Sequence, residues 1–61
     1  MGLCILWTEG NEIKSTEENN LFDARDKIQE LIRKGHTPVI VIDGKRISAD
    51  EFFSRIRGIF S

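Results

Sequence analysis

Residues 37–48 read TPVIVIDGKRIS, and this stretch restricts the fold more than any other. Pro38 forbids a helix at its start and pushes Thr37 toward extended backbone. Proline also lacks an N–H, so it fits a sheet only at the first residue of a strand or on an edge. Val39 to Ile42 are four consecutive β-branched apolar residues. Such a run reads as a strand buried on both faces, the middle of a small sheet. Asp43-Gly44 then supplies a hairpin turn, since both residues tolerate positive φ. Lys45-Arg46-Ile47 is the short return arm.

Helix signals lie on both sides. After the arm, Ser48-Ala49-Asp50-Glu51 spells a capping box, with Ser48 as cap and Glu51 at the third helical position. Ala49, Phe52, Phe53, Ile56 and Phe60 follow at helical spacing, and Gly58 is the expected end of that helix. Before the strand, Ser15 with Glu18 and Asn20 with Asp23 are two possible starts for an earlier helix. The later one is preferred, because Asn19-Asn20 is poor helix interior. Leu21, Ala24, Ile28, Leu31 and Ile32 make its apolar stripe, with Phe22 off centre. Arg33-Lys34-Gly35 ends it: cations meet the negative end of the dipole and glycine takes the left-handed position.

The first residues form a hairpin. In Leu3 to Thr8 the alternate sets Leu3, Ile5, Trp7 and Cys4, Leu6, Thr8 are both largely apolar. That strand is expected to be covered on both faces, or on one face and by a partner. Glu9-Gly10-Asn11 turns the chain. Glu12 to Lys14 reads as a short charged edge strand with Ile13 as its one apolar residue.

The outline is a single domain over residues 1–61 of class α+β: a small two-layer or sandwiched sheet in the order β-β-α-β-(β)-α. The second helix can cover the other sheet face or dock on a second subunit. This order partly resembles ubiquitin-like β-grasp domains. DKIQELIRKG followed by VIVIDGKRIS stands for their helix, third strand and short fourth strand, over residues 3–48. The chain departs where that fold has a final central strand, because residues 49–57 read as a helix. TPVIVIDGKRISADEF is also similar to the proline-strand-turn-helix part of glutaredoxins. Their cysteine motif at an earlier helix start has no counterpart here, and Cys4 falls inside a strand, so redox activity does not carry over.

Composition narrows the function. A 61-residue chain buries only about 60% of its extended surface, so its stability margin is thin. One cysteine excludes an internal disulfide and suits a reducing, cytoplasmic setting. No apolar run approaches the roughly 20 residues of a membrane span, and MGLCILW lacks the basic region and cleavage pattern of a signal peptide. Four metal ligands of suitable spacing cannot be assembled, and no phosphate loop is present. Cys4 with His36 is the one conceivable nucleophile pair, and the apolar strand around Cys4 argues against it. No enzyme activity and no cofactor are expected.

Two binding readings remain. The preferred one is a protein-interaction module that self-associates, as a homodimer, and acts as an adaptor or regulator. Phe22, Phe52, Phe53, Ile56, Ile59 and Phe60 exceed the obvious interior needs of a small domain, and aromatic residues are favoured at interface cores. The alternative is a nucleic-acid-binding regulator. Residues 1–31 carry seven acids and three bases, net −4, whereas residues 32–61 carry six bases and three acids, net +3. Arg33, Lys34, Lys45, Arg46, Arg55 and Arg57 would contact phosphates if they shared one face. A total charge of −1 weighs against that reading.

Overall fold

The computed structural model describes residues 2–60, and of Ile59 and Phe60 only the backbone. The elements run β1 (Leu3–Glu9), β2 (Glu12–Glu18), α1 (Leu21–Arg33), β3 (Val39–Ile42), β4 (Lys45–Ser48) and α2 (Ala49–Phe60). The four strands make one antiparallel sheet in the order β2-β1-β3-β4. The α+β class and the order expected from the sequence are both present. The β-grasp likeness stops at the sheet centre, where β1 pairs directly with β3 and no strand is inserted between them. The chain consists of two successive hairpin-helix units, placed side by side through the antiparallel β1–β3 contact.

Local chemistry explains where each element begins and ends. Asp43 and Gly44 have φ of 52° and 80°, the paired positive values of a type I′ hairpin turn. Gly10, at φ 61°, begins the turn between β1 and β2. α1 starts at the later of its two possible caps: Asn20 Oδ1 accepts from the Asp23 N–H at 2.9 Å. Residues 15–18, the earlier candidate, extend β2 to seven residues instead of three. Their pairing with Leu3 to Leu6 satisfies the backbone that a helix start would otherwise use. α1 closes in a Schellman motif, with the Gly35 N–H on the Ile32 carbonyl at 3.0 Å and the His36 N–H on the Leu31 carbonyl at 2.9 Å. Ser48 Oγ caps α2 by accepting from the Glu51 N–H at 3.1 Å. The Glu51 carboxylate does not complete a reciprocal box; it pairs with Arg55 at 3.2 Å. Gly58 does not end α2, which continues to Phe60, because Gly58 stays out of the left-handed region that stops a helix.

Both helices lie on the same face of the sheet. Leu3 and Ile5 of β1, Ile40 of β3 and Ile47 of β4 form one buried cluster with Ala24, Ile28 and Leu31 of α1 and with Phe52 and Ile56 of α2. The expectation that α2 could cover the second face is therefore corrected. Widths account for the arrangement. Four strands at about 4.8 Å spacing are about 19 Å across, which two helices of about 10 Å side by side just cover. Ile32, expected in the α1 stripe, is instead 45% exposed, since it lies beyond the edge of that cluster.

Candidate interaction surface

The strand register divides the side chains of the sheet into two sets. Opposite the helices stand Cys4, Leu6 and Thr8 of β1, Ile13, Ser15 and Glu17 of β2, Val39 and Val41 of β3, and Arg46 of β4. No described element covers this face. Its centre, Cys4, Leu6, Val39 and Val41, is only half-buried. Ile13, at the β2 edge, is 79% exposed. A shallow groove of about 300 Å³ runs over this face, lined by Leu6, Thr8, Ile13, Thr37, Val39 and Arg46 among others. β3, expected to be buried on both faces, is thus covered on one among the described residues, and so is β1, for which cover on one face was the second of two expectations.

The sequence-derived interface residues separate in the fold. Phe52 and Ile56 are 1% and 5% exposed and belong to the domain's own core, so they present no contact surface. Phe53 is half-buried against that core, its ring edge-on to Phe52 at 5.8 Å. With Gln29, Ile32 and Arg33 it lines a groove of about 450 Å³ between the helices. Phe22 is 57% exposed at the start of α1, with the Arg25 guanidinium 5.9 Å from its ring centre. The side chains of Ile59 and Phe60 lie outside the described residues.

Of the six cations of the alternative reading, Arg46 is separated from Arg33 by the thickness of the domain. Arg33 lines the groove in the helix layer, and Arg46 lines the one on the open sheet face. Lys34 pairs with Glu30 at 3.1 Å and Arg55 with Glu51 at 3.2 Å, each along its own helix. Lys45 extends from the β3–β4 hairpin and Arg57 from α2, both exposed.

Cys4 and His36 are also far apart. Cys4 sits on the open face, while the His36 Nε2 lies 3.7 Å from Glu9 Oε1, five residues or about 17 Å along β1. His36 belongs to a polar group at the end of the sheet. There the Trp7 indole N–H donates to Glu9 Oε1 at 3.0 Å, and the Lys27 ammonium stands 5.2 Å from the Trp7 ring centre. The indole hydrogen bond holds the Glu9 carboxyl below its ordinary value. Desolvation opposes it, and the charges of His36, Lys14 and Lys34 add to the lowering. Among the described residues no cluster of His, Cys, Asp and Glu is arranged to hold a metal ion. No helix in the described part is long and apolar enough to cross a membrane.

The open face is the surface that reading the sequence for excess aromatics missed. Its signal was present in β1, where Cys4 and Leu6 alternate with Leu3, Ile5 and Trp7. A doubly apolar strand in a sheet covered on one side leaves an apolar set exposed. No protein-family model, curated protein or solved structure matches this chain.

Proposed function

We propose that this protein is a small, non-enzymatic interaction module that self-associates through the open face of its sheet. One observation carries the reading. Cys4, Leu6, Val39 and Val41 form an apolar centre across β1 and β3, with Ile13 beside it, and no described element covers them. A contiguous exposed apolar patch on a sheet is a common mark of an interaction site. Association there would convert a two-layer domain into a layered sandwich, the usual way a second apolar sheet face is buried. It would also enlarge a core that a 61-residue chain can build only thinly.

The footprint sets the expected strength. The face is about 19 Å across four strands and about 14 Å along Cys4 to Thr8, on the order of 300–400 Å² once side-chain relief is included. A standard interface uses about 800 Å² per partner, so a reversible dimer with a dissociation constant on the order of 10–100 μM is expected. Sedimentation equilibrium from 10 μM to about 1 mM should show monomer converting to dimer. Replacing Leu6 and Val41 together by threonine keeps strand preference while removing apolar surface. That variant should remain monomeric throughout. A wild-type chain that stays monomeric, or a dimer indifferent to this change, would overturn the reading. The position of Arg33 and Arg46 on opposite layers does not favour a nucleic-acid surface.

A further inference from the structure

The register places Glu17, Cys4, Val41 and Arg46 in one row across the open face, from the β2 edge to the β4 edge. The row opens with an acid, closes with a base and is uncharged between them. Among the described residues neither Glu17 nor Arg46 forms an ion pair, while most charges on the helices are paired locally. The neighbouring row carries Leu6 beside Val39. The face is therefore electrically polar across the strands and apolar in its middle.

From this asymmetry, and resting on the self-association proposed above, we infer that the partner is a second copy of the chain, stacked face to face about a two-fold axis that runs along the strands. In that arrangement Glu17 of each copy pairs with Arg46 of the other. A two-fold axis along the strands exchanges left and right, so the β2 edge of one copy lies over the β4 edge of the other. Each acid then meets a base at two symmetric places, and Cys4 and Val41 of one copy cover Val41 and Cys4 of the next. A two-fold axis across the strands would do the opposite. It would lay the acid-bearing edge on itself and the base-bearing edge on itself, losing both pairs. Sheets stacked face to face stand about 10 Å apart, a gap that a glutamate and an arginine side chain can bridge between them. The same interface is isologous, as closed dimers require.

The test is charge reversal read by sedimentation equilibrium on the full chain. Glu17→Arg alone and Arg46→Glu alone each turn two attractive contacts into two repulsive ones. Each should weaken dimerisation about tenfold, equal to about 1.4 kcal/mol. The double variant Glu17→Arg with Arg46→Glu restores opposite charges across the axis and should return the dissociation constant to within about threefold of wild type. Both positions are exposed on edge strands, and circular dichroism of each variant confirms that the sheet is retained. If the double variant is as weak as the singles, or the singles do not weaken the dimer, the axis inferred here is wrong. The open-face reading then still stands provided the Leu6 and Val41 threonine variant dissociates the dimer. A wild-type monomer at millimolar concentration overturns both.

Discussion

The two faces of this sheet are built from neighbouring residues of the same strands, yet they lead different lives. Ile40 is fully buried beneath the helices, and Val41, the next residue, is half-exposed on the other side. Ile5 is likewise buried, and Leu6 beside it is not. Both faces are apolar at their centres, so hydrophobicity alone does not distinguish them. The difference lies in what the helices supply. α1 and α2 each carry one apolar stripe, and both stripes are used on a single side. The covered face holds the core of the fold, while no described element packs on the open face.

The largest test of that division is Phe52→Ala. Phe52 is among the largest fully buried side chains, and truncating such a residue costs about 3–5 kcal/mol. A domain of this length has roughly 3–9 kcal/mol in total. Thermal or urea unfolding followed by far-UV circular dichroism should find the variant largely unfolded at room temperature. The sharpest comparison is Ile40→Ala against Val41→Ala. The first should cost about 2–5 kcal/mol and the second about 1 kcal/mol or less in the monomer. Equal losses measured at low micromolar concentration would mean that the second face is covered after all.

Gly44→Ala probes the hairpin that keeps the two sets apart. At φ 80° a side chain is strained, and about 1–2 kcal/mol should be lost. A one-residue slip in this hairpin would send Ile47 to the open side and Arg46 into the core. Amide exchange should therefore show β3–β4 loosening before β1–β2. Ser48→Ala removes the cap that starts α2 over the covered face and should cost about 1 kcal/mol by urea titration.

The smallest effect concerns pH. Glu9 has a depressed carboxyl value in the folded state, chiefly from the Trp7 indole hydrogen bond. A depressed acid contributes stability above its unfolded value, and that contribution is lost as pH falls through the folded one. Glu30 acts in the same sense, through its hydrogen bond and charge contact with Lys34. A mild loss of stability is thus expected on acidification below the ordinary glutamate value of 4.5. Trp7→Phe keeps the ring but removes the donor, so the Glu9 carboxyl resonance should titrate closer to that value. No movement would show that the indole is not the main cause.

Much of the fold was legible because it is written locally. Pro38, the Val39 to Ile42 run, Asp43-Gly44, the Asn20 and Ser48 caps and the Gly35 stop each act within a few residues, and each operates as its chemistry suggests. The length of β2 was not legible. Ser15 to Glu18 have little strand character of their own and are held extended by Leu3 to Leu6 across the ladder. The candidate surface was legible only in part. The surplus of phenylalanine was visible, but a buried and an exposed phenylalanine at helical spacing look alike until the helix has a neighbour. Phe52 and Ile56 proved to be core, and Phe22 proved to be exposed.

The list of elements, their turns and the alternation that gives β1 and β3 two apolar sets thus follow from the sequence. It also supplied a charge asymmetry between the halves, of which Glu17 and Arg46 are one instance. That α1 and α2 share a face, and hence which apolar set is buried, is set by packing between distant parts of the chain. The physical reason is that alternation marks two sides of a strand without saying which side a distant helix will take. That choice follows from how two helix widths fit one sheet width, and from β1 pairing with β3 to bring both hairpins under them. The same pairing aligned Glu17, Cys4, Val41 and Arg46, residues scattered over 43 positions of the chain, into a single row.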